Sequence, residues 1–138
     1  MKKVLLGFLI IMLISAVFIL PRLYSKEQKS IFVVGKISDF PKGTVQLIAP
    51  AKAFIISDNE GIYAISAVCT HKGCIIREGN WGLTCPCHAA RFDLNGKVLK
   101  GPAKEDLVWY AVGSDEAGNL TLETSKIVPP GTKLHTEK

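Results

Sequence analysis

The residues most able to do chemistry lie in two short stretches, "CTHKGC" at Cys69–Cys74 and "TCPCHAARFD" at Thr84–Asp93. Together they contain all four cysteines and two of the three histidines of the 138-residue chain. Cysteine thiolates and histidine imidazoles are the protein ligands that zinc, copper and iron prefer. The spacing therefore predicts a metal or redox centre built from both stretches.

Structural zinc is the first chemistry to weigh. Tetrahedral zinc sites usually take two thiolates from one turn, with two to four residues between the cysteines. Four residues separate Cys69 from Cys74, at the wide limit, and a single residue separates Cys85 from Cys87. Four cysteines and two histidines also exceed what a four-coordinate site needs, so the pattern disfavours zinc.

Haem attachment and thiol–disulfide exchange are the next alternatives. A c-type haem needs the pattern C-x-x-C-H, and "CPCH" has one residue too few between its cysteines. A thioredoxin-like site needs C-x-x-C ahead of a helix, which neither stretch offers. A [2Fe–2S] cluster held by two cysteines and two histidines is the third account, and it suits these residue types.

The order of the motifs makes the third account specific. "CTHKGC", followed by "CPCHAARFD" and then "KGPA", resembles the Rieske iron–sulfur family, and especially its quinol-oxidising branch in cytochrome bc complexes. The resemblance extends from Phe40 to about Leu122. It implies an all-β fold, with a Rieske-type antiparallel β-sandwich head that holds one [2Fe–2S] cluster.

The resemblance also implies a role for each cysteine and histidine of the two stretches. One iron would be bound by Cys69 and Cys85, and the other by His71 and His88. His88 would in addition contact quinol.

Two further features follow from the resemblance. A disulfide between Cys74 and Cys87 would tie the two loops together. The segment Gly101, Pro102 and Ala103 resembles the proline-containing loop that covers the cluster; an ordinary turn is the alternative. His135 has no cysteine near it in the sequence and is interpreted as a solvated side chain.

The sequence departs from the family pattern at several positions. Lys72 stands where the quinol-oxidising branch usually has leucine, and Ala89-Ala90 replace Gly-Ser. Phe92 replaces a tyrosine that often donates to a ligand sulfur. Because the last two changes remove hydrogen-bond donors, we expect a reduction potential in the lower half of the family range of about −150 to +300 mV. The stretch between His71 and Cys85 is thirteen residues, fewer than usual.

The function that the resemblance implies is electron transfer in a respiratory membrane complex. The chain would accept electrons, with a proton, from quinol and pass them to a c-type cytochrome, working with cytochrome b-type and c-type subunits and not catalytic alone. The alternative is a Rieske relay subunit of another periplasmic oxidoreductase, which would not oxidise quinol itself. No basic stripe with interleaved aromatic residues is seen, so no nucleic-acid partner is predicted.

Short β-rich runs must position the two stretches. Apolar runs punctuated by turn residues begin at Ile31, and no segment after Leu20 shows ten residues of helical period. Asn95-Gly96 predicts a two-residue hairpin loop, and Ala117–Asn119 predicts a second hairpin more weakly. Apolar residues of these runs are predicted to form the core: Val33, Leu47, Phe54, Ile56, Ile62 and Ile65.

The remaining segments are assigned from composition. Residues 1–24 are predicted to be a membrane anchor, since Val4–Leu20 is uncharged and as a helix would span roughly 25 Å of a ~30 Å hydrocarbon core. A cleaved signal peptide and a buried helix are the alternatives. Residues 25–30 are predicted to be a flexible neck, 31–125 the Rieske domain and 126–138 an extended tail.

Charge counting alone leaves the orientation open, because lysine or arginine residues flank both ends of the apolar run. The disulfide implied by the resemblance requires an oxidising compartment. The expected location is therefore the inner (cytoplasmic) membrane, crossed once, with the head on the periplasmic or extracytoplasmic side.

Overall fold

The computed structural model describes residues 30–135, and within that range the chain is almost entirely β-structure. Regular helix there is limited to two three-residue 3-10 turns, Ile37–Asp39 and Ala49–Ala51, so the all-β prediction is confirmed. Between residues 30 and 135 no helix is long and apolar enough to cross a membrane. The predicted anchor, and all of the predicted neck except Ser30, lie outside the described residues.

Ten strands alternate with short turns, as the repeated apolar runs predict. They are β1 (Ile31–Lys36), β2 (Val45–Ile48), β3 (Ala53–Ser57), β4 (Ile62–Ser66), β5 (Arg77–Gly79), β6 (Gly82–Thr84), β7 (Arg91–Phe92), β8 (Val98–Lys100), β9 (Trp109–Ser114) and β10 (Asn119–Val128).

The strands form two antiparallel sheets. A six-stranded sheet has the order β1-β10-β9-β4-β3-β2, and a four-stranded sheet has the order β5-β6-β7-β8. The four-stranded sheet is thus a continuous insertion between β4 and β9. Both cysteine–histidine stretches belong to this insertion, one before β5 and the other between β6 and β7.

The core lies on both faces of the six-stranded sheet. Phe54 and Ile65 pack in one cluster with Leu83 and Phe92 of the four-stranded sheet, and this cluster joins the two sheets. Alternate residues of the same strands point the other way, into a second cluster. Its buried members are Phe40, Ala53, Ile55, Ile62, Ala64, Leu120 and Leu122.

Two residues predicted to be core are not buried. Val33 is 61% exposed and Leu47 is 37% exposed, whereas the other four predicted core residues are buried. The reason is their position, since β1 and β2 are the two edge strands of the six-stranded sheet. An edge strand has a neighbour on one side only, and its outward face stays in contact with water.

The hairpin predicted at Asn95-Gly96 is present, but its loop is longer than two residues. The Gly96 amide donates to the Asp93 carbonyl at 3.0 Å, and the Asp93 amide donates to the Lys97 carbonyl at 2.9 Å. Three residues therefore lie between the paired positions. Gly96 has φ of +82°, the left-handed conformation that closes a three-residue hairpin after a type I turn.

The second hairpin repeats the first. The Gly118 amide donates to the Asp115 carbonyl and the Asp115 amide donates to the Asn119 carbonyl, both at 3.0 Å. In each loop the first aspartate also accepts from the amide four residues later, at 2.8 Å. The Asp-x-x-Gly pattern common to both loops explains their shared geometry, because aspartate at the first position and glycine at the fourth suit a type I turn.

The predicted extended tail, residues 126–138, begins inside β10, because that strand continues to Val128. Leu134 then pairs with Ile62 in an antiparallel bridge. Lys133 forms ion pairs with Asp58 and, at 2.7 Å, with Glu60. His135 is exposed, and its Nδ1 lies 2.8 Å from the Glu60 carbonyl oxygen.

Candidate metal centre

The two cysteine–histidine stretches fold into loops with the same backbone hydrogen bonds. In the first loop, Cys69–Cys74, the Cys69 amide donates to the Cys74 carbonyl at 2.9 Å, and the Gly73 amide donates to the Cys69 carbonyl at 2.8 Å. In the second loop, Cys85–Ala90, the corresponding distances are 2.8 Å and 3.1 Å. Each loop is therefore a closed turn that begins at a cysteine.

The fifth residue of each loop has a left-handed backbone conformation. Gly73 has φ of +74° and Ala89 has φ of +54°. Glycine adopts this conformation without steric cost, but an alanine Cβ approaches the following carbonyl and costs roughly 1–2 kcal/mol. The second loop thus contains a strained alanine where its counterpart has glycine.

A disulfide joins the two loops, as the family resemblance implied. Cys74 and Cys87 are bonded, with their Cα atoms 6.5 Å apart. The sulfur of Cys85 lies within 4.8 Å of both disulfide sulfurs. Since paired sulfurs offer no thiolate, the sulfur ligands for a metal must come from the other two cysteines.

Those two cysteines, Cys69 and Cys85, are free and buried, each with 2% of its surface exposed. Burial raises the pKa of Cys69, and the adjacent Cys85 thiol raises it further. The backbone amides of His71 and Lys72 donate to the Cys69 sulfur and lower its pKa in part. Two adjacent buried thiols, one held by amide donors, form a pocket suited to a positively charged iron.

The two histidines of these loops lie side by side. The rings of His71 and His88 are 4.8 Å apart between centroids and nearly perpendicular. His88 is exposed and His71 half-buried. Burial lowers the pKa of His71, and the nearby His88 and Lys72 lower it further, so its imidazole is favoured in the neutral form that binds metals.

One atom of this group tests whether the site fits an iron–sulfur cluster. The Nδ1 atom of His71 is buried and has no hydrogen-bond partner among the described residues. A buried polar atom is normally paired, because leaving it unpaired costs about 1–3 kcal/mol. A bond to iron would satisfy it, so two free thiols and two adjoining imidazoles fit a [2Fe–2S] cluster.

The segment with Gly101, Pro102 and Ala103 packs against the second loop. Gly101 has φ of +102°, and a Cβ built on it would lie 2.7 Å from the Ala90 Cα. Ala103 is buried in the cluster that joins the two sheets. Pro102 is exposed beside them. Only glycine permits this close approach of the two backbones.

One residue that helps to hold the site together was not identified from the sequence. The Thr70 Oγ1 donates to the Glu105 carbonyl at 2.7 Å, which attaches the first loop to the segment that follows Ala103. A threonine in a turn commonly bonds to a local carbonyl, and no sequence signal indicates a partner thirty-five residues away.

Three comparisons with known proteins agree with this geometry. The sequence profile of the Rieske [2Fe-2S] domain family matches residues 30–112, more than half of the chain. The cytochrome b6-f complex iron-sulfur subunit of Chlorobaculum tepidum is 35% identical over 83 residues, which are 57% of this chain and 46% of that protein. The subunit of the same name from Prochlorococcus marinus strain SARG is 33% identical over 95 residues, 63% of this chain and 53% of that protein. This chain thus spans about half the length of the curated relatives it matches.

Solved structures show the same fold. The plasma membrane Rieske protein PetC3 from Synechocystis PCC 6803 is 33% identical, with a TM-score of 0.51, and the match covers 65% of this chain and 96% of that one. A chain from the complex of oxygenase and ferredoxin in carbazole 1,9a-dioxygenase is 22% identical, with a TM-score of 0.52; the match covers 73% of this chain and 99% of that one. The second likeness concerns the fold alone.

Proposed function

Because this chain belongs to the Rieske [2Fe–2S] domain family, with one [2Fe–2S] cluster as its cofactor, we propose that it is the electron-transfer subunit of a bc-type respiratory complex. It accepts electrons, with a proton, from quinol and passes them to a c-type cytochrome. Its partners are cytochrome b-type and c-type subunits, and it does not catalyse the overall reaction alone. We further propose that an anchor in residues 1–24 holds it in the inner (cytoplasmic) membrane, with the head on the periplasmic or extracytoplasmic side, and that a neck at residues 25–30 lets the head move.

The proposed ligand assignment is the one that the family resemblance implies. Cys69 and Cys85, whose thiols are buried, would hold one iron, and His71 and His88, whose rings lie 4.8 Å apart, would hold the other. The orphaned Nδ1 of His71 supports this arrangement. Bound there, the cluster supplies one-electron oxidation and reduction at a potential raised by its two neutral ligands.

His88 is proposed to contact quinol because its ring is exposed. The ring nitrogen that does not bind iron accepts the proton that leaves the quinol hydroxyl. Quinol releases protons together with electrons, and an imidazole at the surface can take the proton at the place where the electron enters.

Two observations support the quinol-oxidising branch. The Cys74–Cys87 disulfide joins the two loops, as the resemblance to this branch implied, and a disulfide persists in an oxidising compartment outside the cytoplasm. The matched relatives from Chlorobaculum tepidum and Prochlorococcus marinus are both named as cytochrome b6-f complex iron-sulfur subunits.

The observation that carries the proposal is that the two disulfide-linked loops together hold two free buried thiols and two adjoining imidazoles. Its test is a redox titration of the full-length protein in detergent, followed by low-temperature EPR. We expect a reduced-state signal with an average g below the free-electron value and a midpoint potential that falls with rising pH, because a histidine ligand gains a proton on reduction. A midpoint in the lower half of the family range would suit a low-potential quinone such as menaquinone.

The histidine assignment has its own control. Substituting His88→Leu removes one ligand and is expected to abolish the cluster signal, whereas His135→Leu should leave it unchanged, since His135 bonds only to the Glu60 carbonyl in the described structure. Stoichiometric zinc in place of iron, or a full cluster signal in H88L, contradicts the proposal.

Lys72 favours a second candidate, a relay subunit of another periplasmic oxidoreductase that does not touch quinol. Its exposed ammonium lies close enough to His71 to lower that residue's pKa. Lys72 thus presents a hydrated cation at a position where the quinol-oxidising branch usually has an apolar side chain. Purifying the tagged protein from its native membranes separates the candidates: co-purified b-type and c-type haem supports the bc-type complex, and molybdopterin supports the relay.

A further inference from the structure

The outer face of the four-stranded sheet carries a row of cations. Direct cross-strand partners run from Arg77 to Thr84 and from Thr84 to Arg91. Arg91 also pairs with Lys100, but the register of β7 and β8 shifts between Arg91 and Phe92. Residues directly opposite one another project from the same face of a regular sheet, so Arg77, Thr84 and Arg91 share one face. A bulge lets Lys100 lie beside Arg91 on that face, in keeping with its exposed side chain. Arg77, Arg91 and Lys100 are exposed. We call these three residues the cationic row.

The opposite face of the same sheet packs against the core. Leu83 and Phe92, which neighbour Thr84 and Arg91 along their strands, are buried with 1% and 0% of their surfaces exposed. Side chains alternate between faces along a strand. The cationic row therefore lies on the solvent side of a sheet whose other side is already packed.

No carboxylate of the described residues forms an ion pair with the row, although Glu78 lies nearby. Between residues 30 and 135 the ion pairs are those of Lys133 with Asp58 and Glu60. Arg91 and Lys100 are directly opposite each other, and like charges in that position destabilise a sheet. The face keeps a positive potential that a partner with negative charges would neutralise.

A cleft beside the row adds an aromatic anchor. It has a volume of about 490 Å³, and its lining includes Arg77, Glu78, Trp81, Pro86 and Arg91. Trp81, in the turn between β5 and β6, is 85% exposed. Tryptophan and arginine are the residues most often found at the energetic centre of protein interfaces.

The row and the cleft adjoin the proposed cluster site. Thr84 directly precedes Cys85, and Pro86 belongs to the second loop. A protein seated on this face would contact the second loop through Pro86.

We propose that the cationic row and Trp81 form the docking surface for an acidic electron-transfer protein. Carboxylates of the partner neutralise Arg77, Arg91 and Lys100, and an apolar group packs on the Trp81 ring. This rests on the proposed function, because the partner takes one electron from the reduced centre, one ferric haem becoming ferrous for each centre reoxidised. An anionic membrane surface fits less well, since Trp81 is the single large apolar side chain lining the cleft, whereas membrane-surface segments bury a broad apolar face.

The test measures binding separately from electron transfer. The full-length holoprotein is titrated with an acidic c-type cytochrome by calorimetry, at about 10 mM and about 200 mM salt. The triple variant Arg77→Gln/Arg91→Gln/Lys100→Gln is compared with Lys36→Gln/Lys52→Gln/Lys126→Gln. The control loses the same three charges from exposed positions outside the four-stranded sheet.

The row variant is expected to bind at least about tenfold more weakly at low salt, and the control to bind as the parent does. Trp81→Ala should weaken binding about tenfold at both salt concentrations, because its contact is apolar. Equal weakening of both triple variants would show an effect of net charge alone and overturn the proposal. No weakening in either variant would do the same.

Two further measurements separate the remaining explanations. If the row variant loses binding to phosphatidylserine vesicles and keeps its affinity for the cytochrome, the face binds membrane and the proposal is wrong. Reoxidation by uncharged benzoquinone, with the EPR signal, reports on the cluster alone. A protein that binds the acidic cytochrome through the row but shows no cluster signal contradicts the proposed function and leaves the docking surface intact.

Discussion

Ala90 lies at the end of the second loop, where the family commonly has a serine whose hydroxyl donates to a cluster sulfide. It is fully buried. We predict that Ala90→Ser raises the midpoint potential by roughly 65 mV, since a hydrogen bond of roughly 1.5 kcal/mol to the reduced cluster favours the added electron.

The matched control is Ala64→Ser, which adds a hydroxyl at an equally buried position in the other hydrophobic cluster. It is expected to lower the free energy of unfolding and leave the potential unchanged. Equal potentials in the parent and A90S, measured by EPR-monitored titration, would show that residue 90 does not reach the cluster.

At the same scale, the ligand set is a prediction from the family resemblance, and the structure leaves Cys69 and Cys85 as free buried thiols with the rings of His71 and His88 side by side. The left-handed conformation of Ala89 could not be predicted, since alanine carries no signal for a positive φ. The cationic row was also invisible in the sequence. Its members are far apart along the chain, and only the strand register brings Arg77, Arg91 and Lys100 into line.

At the scale of the elements, the segment after β8 holds the second loop in place through close backbone contact. We predict that Gly101→Ala destabilises the protein by about 3 kcal/mol, because it combines a disfavoured φ with a Cβ only 2.7 Å from the Ala90 Cα. Gly118→Ala is the control, with φ of +76° and no atom within 4 Å of its added Cβ. It is expected to cost about 1 kcal/mol.

Thermal unfolding of the holoproteins and the iron content of both variants check this prediction. G101A should also lose iron more readily than G118A at matched temperature. Equal destabilisation of the two variants would mean that the contact with Ala90 relaxes without cost.

The disulfide is the second element-scale restraint. The double variant Cys74→Ala/Cys87→Ala is predicted to lower the free energy of unfolding by roughly 3 kcal/mol, the chain-entropy value for a closed loop of this size. Because the bond joins the two loops, the cluster should also dissociate faster. Iron release to a chelator, followed by absorbance, measures this; release at the parent rate would assign the bond a role in folding only.

The turns show where element prediction succeeded and failed. Both hairpins were predicted, but Asn95-Gly96 does not form a two-residue loop. Asp93 accepts from the amides of Gly96 and Lys97, which closes a loop of three residues. Val33 and Leu47 were wrongly assigned to the core, since an apolar pattern does not distinguish an edge strand from a central one.

At the scale of the whole molecule, Lys133 attaches the chain after β10 to the turn between β3 and β4. Its side chain is 8% exposed and pairs with Asp58 and Glu60. Its Nζ also lies 5.0 Å from the centroid of the Tyr63 ring. Replacing it with Met should cost roughly 1 kcal/mol and release the Ile62–Leu134 bridge.

The pH dependence of this attachment follows from the pKa shifts. Burial raises the pKa of Asp58, but hydrogen bonds from Lys133 and the amides of Glu60 and Gly61 outweigh it, and the net pKa is lowered. Burial lowers the pKa of Lys133, but its two carboxylate partners leave it raised above 10.5. The stabilisation is therefore present from above about pH 4 up to about pH 10, and is lost below and above that range.

Hydrogen exchange of the Ile62 and Leu134 amides checks the prediction for Lys133→Met. Each of these amides donates to the other residue's carbonyl, at 2.9 Å and 2.7 Å. Faster exchange of these two amides in K133M at neutral pH is expected, with the amides of β3 unchanged. Slow exchange of both in the variant would mean that backbone pairing alone holds the segment.

The two tryptophans of the chain have opposite surroundings. Trp109 is 2% exposed, stacks on Tyr63 and donates its indole N–H to the Asn95 carbonyl, whereas Trp81 is 85% exposed. Iodide in solution can collide with one indole and not with the other. The protein thus contains two separable fluorophores. Quenching of Trp81 reports whether the outer face of the four-stranded sheet is occupied, and the emission wavelength of Trp109 reports whether the core is folded.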